Sequence, residues 1–294
     1  MEQKTDSLSS DQLDEISRKY GEKIEVISLI GKGGQKLVFH IKTPSRNDIV
    51  LKTIFVTPDS LERIRREIRA VSIIDHPNVP KIVMTNTDTN IQPNTVIWII
   101  EEYINGKSLR DELNDGQKYA LAEIVQFIET MLSVLIKAEN NHIVHRDIKP
   151  ENIMVSQDRK YYLIDFGIAR HLDLKSLTAT NAPFGPCTIG YSSAEQLRNR
   201  KKDIDIRSDL FSLAVVITEM ISGSNPYIKG AQNILQIVKN IEQLPLPALQ
   251  IVGDNQFLFA KLIKCMGDNR PSRRPSTAQE AMDMLIIIKE SLSL

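Results

Sequence analysis

The stretch His145-Arg146-Asp147-Ile148-Lys149-Pro150-Glu151-Asn152 decides how this chain is read. Its pattern, H-R-D-x-K-x-x-N, places a carboxylate, an ammonium and a side-chain amide in one tight loop. A solvated charged turn between two elements would not require those residue types at those distances. A short hairpin later comes Asp165-Phe166-Gly167, directly after the apolar run Tyr162-Leu163-Ile164. A carboxylate at a strand end followed by glycine suits a hard cation, and an ordinary β-turn would explain it equally well. Its closeness to the first motif gives it weight. Together the two supply what phosphoryl transfer requires: a carboxylate at the attacking hydroxyl, a cation on the transferred group and metal ligands beside it.

Upstream, the texture is that of a run of hairpins. Val26, Ile27, Leu29 and Ile30 lead into the glycine-rich turn of Gly31, Gly33 and Gly34. Leu37, Val38, Phe39 and Ile41 follow, then the turn Pro44-Ser45-Arg46-Asn47-Asp48, then a strand from Ile49 to Phe55. Pro58-Asp59-Ser60 carries helix-start signals, and Leu61, Ile64, Ile68, Val71 and Ile74 recur at helical spacing. Strands are expected over Lys81 to Thr85 and Thr95 to Tyr103.

Downstream of Gly106 the pattern is mostly helical. Leu121, Ile124, Val125, Ile128, Leu132, Leu135 and Ile136 mark one long amphipathic helix. Short strands are expected at Ile153 to Val155 and Tyr161 to Ile164, and helices at Ser208 to Ile221, Ile234 to Ile241, Phe257 to Lys264 and Ala278 to Leu292. The predicted class is α+β with two lobes. A small antiparallel β-rich lobe with one key helix spans 25–103, and a larger, mostly helical lobe spans 104–294. They form a single domain over 25–290, joined near Tyr103 to Gly106. Residues 1–24 are polar and read as a flexible or loosely helical leader.

Composition bounds the function. The 294 residues are 41% hydrophobic and 25% charged, as in a globular protein. Lys+Arg and Asp+Glu both number 37, so nothing global draws the chain to nucleic acid or to an anionic membrane. The two cysteines, Cys187 and Cys265, offer no disulfide framework, which fits a reducing compartment and a cytoplasmic location. The N-terminus has no signal-peptide core, and no apolar run approaches bilayer length. His40, His76, His142 and His171 lack ligand spacing, so no zinc is expected.

From about Val26 to Leu285 the chain resembles the eukaryotic-type (Hanks-type) Ser/Thr protein kinase catalytic domain, including its bacterial members. The resemblance implies that Asp147 is the catalytic base or hydroxyl-orienting carboxylate and that Lys149 stabilises the transferring phosphate. It also implies that Asn152 and Asp165 hold Mg²⁺, with Mn²⁺ as an alternative. Ile49-Val50-Leu51-Lys52 is similar to the family's V-A-I-K strand, so Lys52 would bind the ATP α/β-phosphates, and Glu67 in Arg66-Glu67-Ile68 would be its ion-pair partner. Ile30, Gly31, Lys32, Gly33, Gly34 and Val38 would cover the nucleotide, with Glu102 and Ile104 at the hinge.

Thr188-Ile189-Gly190-Tyr191-Ser192-Ser193-Ala194-Glu195 resembles the segment ending in A-P-E, with Glu195 expected to pair with Arg274. Asp209 resembles the helix-start residue that braces the catalytic loop, and Thr188 the threonine that contacts the catalytic Asp. Arg146 would meet a phosphorylated activation loop, at Thr178 or Thr180 by preference. His145 is expected to pack under the loop, and Cys187 to be a buried inert thiol.

Ser193-Ala194-Glu195 keeps only the Glu of A-P-E, and three further positions depart from the family. Lys36 replaces the third glycine of G-x-G-x-x-G-x-V, its side chain directed to solvent or to phosphate. Val50 replaces the usual alanine against adenine. Glu101 falls at the gatekeeper, where an unpaired buried carboxylate is costly; either it has a partner or the hinge register is off by one. The implied activity is transfer of the ATP γ-phosphate to Ser/Thr hydroxyls of protein substrates, with autophosphorylation. The alternative is a pseudokinase-like nucleotide-binding scaffold with little turnover. A small-molecule kinase ranks last, because the chain carries T-x-x-Y-x-x-x-E. No nucleic-acid partner is expected, and oligomeric state stays open.

Overall fold

The computed structural model describes residues 8–33, 36–56, 58–87, 96–166, 188–200 and 202–293. Gly34, Gly167, His171, Ser176, Thr178, Thr180 and Cys187 lie outside the described residues.

Strands β1 (Glu25–Lys32), β2 (Lys36–Thr43), β3 (Arg46–Phe55), β4 (Ile82–Thr85) and β5 (Val96–Glu102) form an antiparallel sheet in the order β1-β2-β3-β5-β4. Strand alternation splits it into two faces. Val38 lies opposite Lys52, and Lys52 opposite Ile99, so these share one face with Lys36, Ile54, Ile97 and Glu101. Helix α2 (Pro58–Ser72) packs Ile64 and Ile68 onto Ile54, Ile97 and Ile99 of that face. The opposite face presents Leu37, Phe39, Ile41, Ile49, Leu51, Trp98 and Ile100.

That outer face is covered by the leader. Residues expected to be flexible or loosely helical form helix α1 (Ser10–Tyr20), whose Ile16, together with Ile24, is buried against it, with Leu8, Leu13 and Tyr20 beside them. The helix is fixed at both ends. The Ser9 Oγ accepts from the Gln12 N–H at 3.2 Å, and the Gln12 Oε1 accepts from the Ser9 N–H at 3.0 Å. Gly21, at φ 91°, closes the other end in the left-handed conformation open to glycine. The polar composition that suggested flexibility belongs to the solvent side of an amphipathic helix.

A second small sheet, β6 (Gly106–Ser108), β7 (Ile153–Ser156) and β8 (Tyr161–Leu163), follows the hinge. Around it stand helices α3 (Leu109–Asn114), α4 (Leu121–Asn140), α5 (Ala194–Leu197), α6 (Ile206–Ser222), α7 (Ile234–Gln243), α8 (Leu258–Met266) and α9 (Ala278–Lys289). Helix α6 is buried along nearly its whole length, from Ile206 to Met220, and forms the axis of the helical core. Among the described residues no helix is long and apolar enough to cross a membrane.

Candidate active site

The catalytic-loop residues hang on α6. Arg146 sits at φ +66°, a conformation that costs a non-glycine residue roughly 1–2 kcal/mol. Asp209, in the first turn of α6 and fully buried, accepts from the backbone N–H groups of His145 and Arg146, each at 2.7 Å. Those charge-assisted bonds hold the strained turn. The His145 ring lies beneath the loop. Its Nδ1 accepts from the Asp147 N–H at 3.2 Å, which leaves Nε2 as the donor to the Ile164 carbonyl at 3.0 Å. The ring also lies 4.6 Å from that of Phe166, so one side chain ties the loop to the segment carrying Asp165.

Asp147 is held from three sides. The Thr188 hydroxyl donates to Oδ1 at 2.7 Å, and the Asn152 amide donates to Oδ2 at 2.9 Å and to the Asp147 carbonyl at 2.8 Å. The Lys149 Nζ lies 2.9 Å from Oδ2 and 3.1 Å from the Thr188 Oγ1. Asn152 and Asp165 are brought together by the β7–β8 hairpin, where the Ile164 N–H donates to the Asn152 carbonyl at 2.9 Å. Asp165 itself sits at φ +59°.

Across the cleft, Lys52 reaches from β3 to Asp165 at 2.7 Å. The same Asp165 Oδ1 receives Lys36 of β2, also at 2.7 Å. Glu101 makes an ion pair with Lys52, so the carboxylate that would be costly if unpaired has a buried partner. Lys52's ion pairs are thus with Glu101 and Asp165, and the expected partner Glu67 is not among them. The physical reason is fixed geometry. Glu101 is two residues along β5 from Ile99, the direct neighbour of Lys52, and therefore a diagonal neighbour on the same face. Glu67 stands on α2, whose placement is set by separate packing. Burial alone would depress Lys52, but Asp165 and Glu101 outweigh it and hold the ammonium above the ordinary lysine range. Burial likewise raises Asp165, yet Lys36 and Lys52 hold it far below the usual carboxylate range.

The glycine turn separates two reasons for glycine. A Cβ on Gly31 would lie 3.3 Å from the Val38 Cβ, so packing itself favours glycine there. Among the described residues, a Cβ on Gly33 would meet nothing nearer than 3.9 Å, so none of them demands its bare backbone. Ile30 is exposed on β1 and Val50 is buried on β3. Glu102 ends β5, with its N–H on the Lys81 carbonyl at 3.0 Å and its carboxylate on the Lys81 N–H at 3.0 Å; Ile104 follows in the hinge.

Deeper in the helical lobe, Glu195 and Arg274 meet at 2.6 Å with side chains essentially unexposed. Ser208 donates to the Glu195 Oε1 at 2.8 Å, and the Arg274 guanidinium also takes the carbonyls of Asp268 and Arg207 at 2.7 and 3.0 Å. A second cluster was not anticipated. Arg110 of α3 contacts Glu151 at 2.8 Å, Glu219 at 2.8 Å and the Tyr191 hydroxyl. Four segments far apart in sequence meet there, and no local spacing signals it.

A family model described as the protein kinase domain matches residues 24–286. A probable serine/threonine-protein kinase of Clostridium acetobutylicum is 30% identical over 282 residues, covering 94% of this chain and 41% of the relative. Another from Clostridium perfringens is 28% identical over 280 residues, covering 94% and 39%. Serine/threonine-protein kinase PknB of Mycobacterium leprae is 29% identical over 273 residues, covering 90% and 43%. The chain therefore spans less than half the length of these curated relatives.

Proposed function

The chain belongs to the protein kinase domain family, and from that premise we propose that it transfers the γ-phosphate of ATP to serine and threonine hydroxyls of proteins. The observation that carries this is Asp147, with Thr188 on one carboxylate oxygen at 2.7 Å and Lys149 at 2.9 Å on the other. A carboxylate so fixed can orient a hydroxyl and accept its proton, and Lys149 beside it would supply the cation that charge on the transferred group needs.

The residues fit the nucleotide and its metal. Among the described residues no atom comes nearer than 3.9 Å to where a Cβ on Gly33 would stand, a backbone approach that suits a phosphate cradle. Asn152 gives its amide nitrogen to Asp147, so its side-chain oxygen would be the atom that joins the Asp165 carboxylate on a cation. Hard oxygen donors of this kind suit Mg²⁺. Bound ATP and Mg²⁺ would supply the phosphoryl group and neutralise charge on its oxygens. Lys52 would hold the α/β-phosphates, with Glu101 as the counter-ion that keeps it in place. Ile30, Gly31, Lys32, Val38, Glu102 and Ile104 would enclose the nucleotide.

The relatives' names, all serine/threonine-protein kinases, favour this over a scaffold with little turnover. The test incubates the protein with labelled ATP, Mg²⁺ and a generic basic protein, beside Asp147→Asn and Lys52→Met. Label transfer by the wild type alone is the expected result; equal transfer by all three would end the proposal.

A further inference from the structure

The substitution that removes the third glycine of the nucleotide turn has placed a cation inside the cleft. Lys36 has its side chain largely covered, 16% exposed, and its ammonium 2.7 Å from the Asp165 Oδ1. Solvent was open to it at the tip of a hairpin, and it faces inward. Strand register explains the direction. Lys36 pairs with Ile54, and Val38 pairs with Lys52, so Lys36 and Lys52 are diagonal neighbours on the cleft face of adjacent strands. The turn is closed without the third glycine. The Gly33 N–H donates to the Lys36 carbonyl at 2.8 Å, so the backbone of residue 36 closes the hairpin while its side chain is left to the site.

Two ammonium groups therefore converge on one carboxylate oxygen. With Glu101 they make a quartet of two cations and two anions. Asp165 alone is a single anionic charge shared by two cations, and a polyphosphate offers more oxygens and more charge to each of them. We propose that Lys36 is a second phosphate-binding lysine of this site, which exchanges the Asp165 carboxylate for a phosphate oxygen of bound nucleotide. Lys36 then lies over the phosphates from β2 while Lys52 holds them from β3. Its departure also leaves the Asp165 carboxylate open to its other ligands. The role goes beyond the glycine it replaces, which can offer only backbone.

The proposal rests on the kinase reading, and one calorimetric experiment separates the two. Mg²⁺-ATP, Mg²⁺-ADP and adenosine are each titrated into wild type, Lys36→Met, Lys36→Arg and Lys36→Gly. Wild type binding Mg²⁺-ATP supports the kinase reading whatever Lys36 does; no binding by wild type overturns both. For Lys36, the expected result is about tenfold weaker Mg²⁺-ATP binding in Met and Gly variants, the equivalent of ~1.4 kcal/mol. Adenosine affinity stays as in wild type, and Lys36→Arg keeps ATP affinity within about threefold, since a charge-assisted contact survives. Lys36→Gly restores the third glycine, so a loss shared with Lys36→Met is not a misfit of methionine. Unchanged or tighter ATP binding in either variant would make Lys36 merely a counter-ion of Asp165 and overturn the proposal. So would a loss for adenosine as large as that for ATP.

Discussion

The two walls of the cleft are built on different principles. On the helical side, Asp147, Lys149, Asn152 and Thr188 hold one another through neutral and charged hydrogen bonds within one loop system. Asp209 fixes that loop to a buried helix. On the sheet side, Lys36, Lys52 and Glu101 are positioned by strand register and meet Asp165 as bare ion pairs. The first arrangement is over-determined, so its geometry survives the loss of a partner better than its chemistry does. The second is a balance of charges, and changing any one member shifts the rest. A loop built of mutual hydrogen bonds tolerates little variation in residue type. A strand face can exchange a glycine for a lysine or place a glutamate at the gatekeeper, provided the charges still sum to nearly zero.

The largest expected break in this comparison is Asp147→Asn. With Asp147 in its proposed role, the change should lower transfer by roughly 10²–10⁴-fold, with the unfolding midpoint little changed, as labelled-phosphate incorporation and thermal denaturation would show. A large fall in stability instead would mean that Asp147 is architectural. Next is Arg274→Ala, which leaves Glu195 buried without its cation and should cost about 3–5 kcal/mol in urea unfolding. A cost under ~1 kcal/mol would show that water reaches this pair.

The same pair sets a pH dependence. Burial raises the Glu195 carboxyl, but Arg274 outweighs it and the folded-state value lies below the ordinary 4.5. A depressed folded value stabilises the fold above the unfolded value, and that stability is lost as pH falls through 4.5 toward the folded value. Glu195→Gln should flatten the stability profile over that acid range and leave its shape near neutrality unchanged. An identical acid limb in wild type and variant would contradict this.

Glu101→Gln sharpens the other wall. With Glu101 as Lys52's buried partner, the change should lower transfer several-fold and exceed the effect of Glu67→Gln. The reverse order would mean that α2 brings Glu67 to Lys52 during turnover. The smallest effect belongs to Ser9→Ala, which removes the α1 cap and should cost ~1 kcal/mol in thermal unfolding.

The same contrast governs what the chain's sequence revealed. The catalytic loop was legible because its residues act within a few positions of each other, so spacing alone encodes their contacts. Helix α4 was legible from period, its apolar positions repeating at helical spacing. Arg274 could be matched to Glu195 only through the family pattern, since nothing local joins residues so far apart. Lys52's pairing with Glu101 has no local signal: where α2 sits against the sheet is a tertiary outcome, and the register placing Glu101 beside Lys52 needs the β3–β5 pairing. Helix α1 carried a readable signal in Ser9, Gln12, Leu13, Ile16 and Tyr20, masked by the polar residues between them. The Arg110 cluster had no signal at all, because its members come from α3, the catalytic loop, α6 and the segment before α5.

One carboxylate joins the catalytic turn to the helical axis. Asp209 holds the amide protons of both His145 and Arg146 from inside α6. Loop amides ordinarily exchange with solvent through small local openings. Here, opening the turn would strand a buried carboxylate, so these two amides should exchange in deuterium oxide as slowly as those of α6 itself. The loop that carries Asp147 would then belong, kinetically, to the last part of the molecule to come undone.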